Sequence, residues 1–152
     1  MKIKTDFTTN SSSSSFVCWG VSEDDIENSE KLKLIAFETY LFNSKKALAE
    51  DPTDAYAKET IKEMESLTTD EDKLEYIEET GIEDEMPEPF SKDGPSYDDS
   101  KFIGICPTTL EKDFPEVTFG NLREFVAKKM NEVLGTNLTA KDIKYYEEVW
   151  TD

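Results

Sequence analysis

The sequence predicts an α+β domain, a small two- or three-stranded sheet packed against about five helices. Three observations carry that expectation. Residues 16–21 and 102–106 are short runs, apolar on both faces and rich in β-formers, as expected of strands covered on two sides. Five other stretches carry apolar residues at three- and four-residue steps, most of them bounded by a capping residue or by a glycine or proline stop. The length of 152 residues, with 36% hydrophobic and 11% aromatic content, suits one domain spanning 1–152 that buries roughly two-thirds of its unfolded surface.

Residues 2–7 alternate in polarity and permit a short edge strand, with Ile3, Thr5 and Phe7 on one side. Residues 8–15, two threonines, an asparagine and five serines, offer nothing to a core and are expected as a loop or as part of a flexible arm spanning 1–15. After the first strand, Ser22 begins a helical signal with Asp25 as its capping-box partner. From Ser29 to Glu50 the stripe Leu34, Phe37, Leu41 and Leu48, broadened by Leu32, Ile35, Tyr40 and Phe42, predicts a central helix stopped at Asp51-Pro52. Thr53 is the expected cap of a second helix striped by Ala57, Ile61, Met64 and Leu67. Thr69 is the expected cap of a third carrying Leu74 and Ile77, with Gly81 as its left-handed terminator.

Residues 82–100 hold three prolines and seven acids and read as a long acidic loop, a length usually functional or mobile. The second strand at 102–106 is expected to pair with the first, and an irregular connection bearing Leu110, Phe114, Val117 and Phe119 follows it. Residues 120–134 predict a helix with Leu122, Phe125, Val126, Met130 and Val133 inward and Gly135 as its stop. Thr139 with Asp142, flanked by Leu138 and Ile143, makes a capping box and staple that predict a final helix through Tyr145, Tyr146, Val149 and Trp150. The expected core comprises Phe16, Trp19, Leu34, Phe37, Leu41, Ile103, Ile105, Phe125, Val126 and Met130.

Charge is the strongest functional signal. There are 35 acids against 17 bases and no histidine, a net −18. Residues 21–100 alone carry 25 acids and eight lysines. Such a field repels nucleic acid and anionic lipid, so direct binding to either is disfavoured. The only arginine is Arg123, and Lys128-Lys129 is the best basic cluster, a poor phosphate footprint. The absence of histidine removes every mechanism that needs an imidazole base or zinc ligand.

Cys18 and Cys106 are too far apart in sequence for a CxxC motif and sit in apolar runs with no basic neighbour, so they read as buried thiols of a reduced, cytoplasmic protein rather than as nucleophiles. The acidic clusters Asp70-Glu71-Asp72, Glu83-Asp84-Glu85 and Asp98-Asp99 lack calcium-loop spacing; no metal and no cofactor is expected. No apolar run reaches the ~20 residues of a membrane span, and the N-terminus has no secretory signal pattern. Trp19 and Trp150 read as core aromatics.

Residues 2–16, Lys-Ile-Lys-Thr-Asp-Phe-Thr-Thr-Asn, five serines and Phe, resemble the N-terminal signature of a group of uncharacterised small proteins of Gram-positive bacteria and their phages. The usual pattern has Val where Thr8 stands. The resemblance covers about a tenth of the chain; it implies a bacterial or phage origin and assigns no activity, cofactor or site residue.

The functional expectation is therefore non-catalytic binding of a basic protein partner through an acidic helical surface, with Glu63, Glu71, Asp72, Glu75, Glu78 and Glu79 as the contact carboxylates and the 82–100 loop contributing. In its narrower form, carboxylates spaced like phosphates imitate nucleic acid and inhibit a basic host protein. The alternative is a small enzyme using a carboxylate pair or metal-bound carboxylates. With 35 acids, some such pair is always found, so its specificity is slight. The oligomeric state is left open.

Overall fold

The structure, a computed structural model, describes residues 13–27, 29–94 and 101–151. The edge strand expected at 2–7 lies outside these residues, as do most of the 1–15 arm and the 95–100 part of the acidic loop. The chain divides into two compact units, one formed by residues 1–27 with 88–152 and the other by residues 28–87. In chain order the helical unit is thus inserted between the first strand and the rest of the sheet unit.

The sheet unit holds an antiparallel sheet of four strands rather than two or three, ordered β2-β3-β1-β4. Strand β1 (Ser13–Ser22) pairs with β3 (Phe102–Ile105), as their shared apolar character predicts. Phe16, Val17, Cys18 and Val21 are all buried, as are Ile103 and Ile105. The β1–β3 pairing sets Gly20 opposite Gly104. A methyl group added at Gly20 would collide with the Ile103 carbonyl oxygen, and one at Gly104 with that of Trp19. Only glycine permits so close a backbone approach. Phe102 and Tyr146, on the strands flanking β1, stack with ring centroids 3.9 Å apart.

Two strands correct the sequence expectation. β2 (Ser91–Asp93) forms inside the stretch expected as loop and pairs with β3. Its Lys92 is buried, with Nζ 3.2 Å from a Glu23 carboxylate oxygen, an anchor between residues 69 positions apart that no local pattern reveals. β4 (Lys144–Thr151) replaces the expected final helix and pairs with β1 from Lys144 opposite Gly20 to Thr151 opposite Ser13. The capping box does form, the Thr139 N–H donating to the Asp142 carboxylate at 2.8 Å. It caps only the single 3-10 turn Ala140–Asp142. Beyond it, the β-formers Tyr145, Tyr146, Val149 and Trp150 meet the whole length of β1, and eight paired positions outweigh a marginal isolated helix.

A third correction is α4 (Pro107–Asp113), a short helix where an irregular connection is expected. Proline at its first turn loses no hydrogen bond that the helix would have made, and Leu110 is fully buried. Helix α5 (Leu122–Leu134) matches its prediction, buries Leu122, Val126, Ala127, Met130 and Leu134, and ends at left-handed Gly135. Val133, expected inward, is exposed. The signal at Ser22 yields only the 3-10 turn Glu23–Asp25, the Ser22 hydroxyl accepting from the Asp24 N–H at 3.3 Å.

The helical unit comprises α1 (Ser29–Glu50), α2 (Ala55–Glu65) and α3 (Asp70–Thr80). Both α2 and α3 pack on α1. Phe37, Met64 and Ile77, one from each helix, form its buried centre, surrounded by Tyr40, Leu41, Leu67, Leu74, Tyr76 and Ile82. The α2 cap falls one residue later than expected. Asp54 accepts from the Ala57 N–H at 3.0 Å, while the Thr53 hydroxyl donates to Asp51. Thr69 caps α3 and Gly81 ends it with φ 72°, both as predicted. The expected core divides with the units. Leu34, Phe37 and Leu41 belong to the helical one, and Trp19, Leu34, Leu41 and Phe125 are half-buried rather than buried.

Candidate functional site

The helical unit holds 17 acids against seven lysines, a net −10 over residues 28–87. Helix α3 concentrates this charge. Of its eleven residues, Asp70, Glu71, Asp72, Glu75, Glu78 and Glu79 are acidic, and all six are exposed. At 3.6 residues per turn, Glu71, Asp72, Glu75, Glu78 and Glu79 fall within an arc of roughly 120°. Ile77 and Leu74 lie on the opposite side, toward the buried centre. Five of the six carboxylates predicted from sequence therefore share one helix face, and the sixth, Glu63, is exposed on α2.

The single base of α3 does not neutralise that face. Lys73 is half-buried, with its ammonium 3.4 Å from Glu38 of α1 and 5.4 Å from the Phe37 ring centroid. Lys45 of α1 pairs with Glu65 of α2 at 3.3 Å. Among the described residues these ion pairs of the helical unit involve neither Glu63 nor the predicted carboxylates of α3.

Beside Glu63 the structure gathers three tyrosines that sequence reasoning did not single out. The Tyr40 and Tyr56 hydroxyls approach to 3.4 Å across α1 and α2. That hydrogen bond, then burial and the nearby charges of Tyr56, Tyr76 and Glu85, push the Tyr40 hydroxyl up to about 12. Tyr76 of α3 packs edge-on against Phe37 at 5.8 Å, and burial first, then Glu63, raise its ionisation range. Tyr56 is 73% exposed and Phe42 of α1 67%. Each tyrosine sits on a different helix, so only the packing of all three brings them together. The outcome is an aromatic patch edged by Glu63 and Glu85 beside an acidic helix, suited to lysine or arginine side chains through ion pairing and cation–π contact.

The sheet unit offers less chemistry. Burial pushes the Cys18 and Cys106 thiols up, away from the nucleophilic thiolate form. An open groove of about 400 Å³ lies along α5 and the following turn, lined by Glu124, Lys128, Asn131 and Thr139 among others. Its Asn131 is already engaged. The side-chain oxygen accepts from the Leu138 N–H and the Thr136 hydroxyl, both at 2.8 Å, and the amide nitrogen donates to the Leu138 carbonyl at 2.9 Å. Among the described residues no three Cys, Asp or Glu side chains are grouped to hold a metal ion. No helix among them is long and apolar enough to cross a membrane.

No protein-family model, curated protein or solved structure matches the chain.

Proposed function

We propose that this chain is a non-catalytic binding protein of bacterial or phage origin that engages a basic segment of another protein through its helical unit. Glu71, Asp72, Glu75, Glu78 and Glu79 of α3 supply the field, and Glu63, next to the tyrosines, supplies the edge of the contact. The observation that supports this reading is the exposed acidic arc of α3, whose single lysine is turned to Glu38. Its narrower form, imitation of nucleic acid, rests on the same arc, since clustered carboxylates steer toward the grooves that phosphates occupy.

The test is capture of partners from a bacterial lysate at low and high ionic strength, with a variant reversing those six carboxylates to lysine as control. A basic partner retained by the parent chain at low salt, lost at high salt and lost with the reversed variant is the expected result. Elution by duplex DNA marks the nucleic-acid-mimicking form. A partner retained equally by both proteins overturns the assignment to this surface.

A further inference from the structure

We propose that Cys18 and Cys106 are an intrachain disulfide site, closed by exchange with a small-molecule disulfide of the glutathione class and reopened by thiol. The β1–β3 register runs from Ser22 opposite Phe102 to Trp19 opposite Ile105. Continued by one residue, it sets Cys18 opposite Cys106. Directly opposed residues of an antiparallel pair have Cα atoms about 4.5–5.5 Å apart and side chains on the same face. A disulfide spans about 4.4–6.8 Å between Cα atoms. The two thiols are free in the structure, and Cys106 is near enough that its charge adds to burial in raising Cys18.

Their surroundings divide the chemistry. Cys18 is fully buried, whereas Cys106 is half-buried with its sulfur 3.9 Å from the Ser91 hydroxyl. Cys106 is the entry thiol. Its thiolate attacks one sulfur of oxidised glutathione, forming a protein–glutathione disulfide and releasing one glutathione thiolate. Cys18, after losing its proton to solvent, attacks the Cys106 sulfur and expels the second glutathione. The protein loses two electrons and two protons, and one glutathione disulfide becomes two thiols. Because burial raises both protein thiols, exchange is slow near neutrality and accelerates with pH. The bond would tie together the strands between which residues 28–87 are inserted.

The experiment incubates the full chain with oxidised glutathione over a range of pH, alkylates remaining thiols and measures intact mass. The expected product is a monomer lighter by two hydrogens that takes up no alkylating agent and unfolds at a higher temperature by tryptophan fluorescence. Cys18→Ala is expected to stop at the glutathione adduct on Cys106, and Cys106→Ala to stay unmodified. Two alkylatable thiols in the folded chain, where the urea-unfolded chain closes under the same conditions, would overturn the proposal. So would a glutathione adduct or an intermolecular dimer as the end product of the parent chain. The mass measurement on the parent chain needs no variant to fold.

Discussion

Glu79→Lys and Asp70→Lys make the same change of charge at opposite ends of α3, and their effects on stability and on binding are expected to diverge. Both side chains are exposed. Glu79 lies in the last turn, where an acid opposes the helix dipole, and one turn from Glu75, a like-charge neighbour. A lysine there relieves the repulsion, creates a Glu-to-Lys pair in the favourable order and satisfies the dipole. At about 0.2–0.5 kcal/mol for each side-chain pair and about 0.3–1 kcal/mol for the dipole, the gain is about 1–2 kcal/mol at low salt. Asp70 sits in the first turn, where an acid is favoured, and three residues before Lys73. A lysine there loses both contributions and costs about 1 kcal/mol.

Both tryptophans belong to the sheet unit, so unfolding of the helical unit is followed by far-ultraviolet dichroism in urea rather than by tryptophan fluorescence. Affinity for a lysine-rich peptide is measured alongside by calorimetry. Glu79→Lys, which reverses a charge of the acidic arc, is expected to bind several-fold more weakly although it is stabilised. Asp70→Lys, outside the arc, is expected to weaken binding less although it is destabilised. Affinity that rises with Glu79→Lys and falls with Asp70→Lys would mean that binding follows helix stability rather than surface charge, and would refute the reasoning.

Other perturbations test the fold and the tyrosine patch. Gly20→Ala drives a methyl group into the Ile103 carbonyl oxygen and is expected to cost about 2–3 kcal/mol, read as an earlier fluorescence-detected transition; an unchanged midpoint contradicts the close approach. Glu23→Gln removes the carboxylate from an ammonium whose side chain is 2% exposed and is expected to cost about 2–3 kcal/mol. Lys92→Met, which removes the buried charge itself, should cost less, and the reverse order in urea unfolding would count against the pair. Tyr40 is held protonated in the folded chain, its hydroxyl raised from 10 to about 12. Its stabilising contribution is therefore present below pH ~10 and lost as pH rises through about 12. Absorbance titration of Tyr40→Phe should lose one tyrosine from the late part of the curve, and a loss confined to the range near pH 10 rejects the hydrogen bond with Tyr56.

What the sequence made legible was mostly local. The Thr69 cap, the Gly81 and Gly135 stops and the span of α1 depend on a few adjacent residues, and each is found where its spacing predicts. The misread elements depend on remote partners. Residues 138–151 carry a helix-start signal followed by β-forming side chains, and the length of β1 decides between them. β2 exists through Lys92 and Glu23, and α4 through the burial of Leu110. The acidic arc was legible because its residues share one helix, whereas Tyr40, Tyr56 and Tyr76 converge only after three helices pack.

The arc also runs against the stability of the helix that bears it. Glu75 has Glu71 and Glu79 one turn away on either side, and Asp72 and Glu78 three residues away, four like-charge spacings each unfavourable by about 0.2–0.5 kcal/mol. Glu78 and Glu79 stand against the dipole without a base in the last turn. Solubility alone requires no such crowding, since the sheet unit already carries net negative charge. Local repulsion is offset here by Leu74, Tyr76 and Ile77, which tie α3 to the buried centre from its other side. A surface that costs its own helix stability is the arrangement expected where carboxylates serve an oppositely charged partner, because docking a basic segment would relieve the repulsion that the free chain sustains.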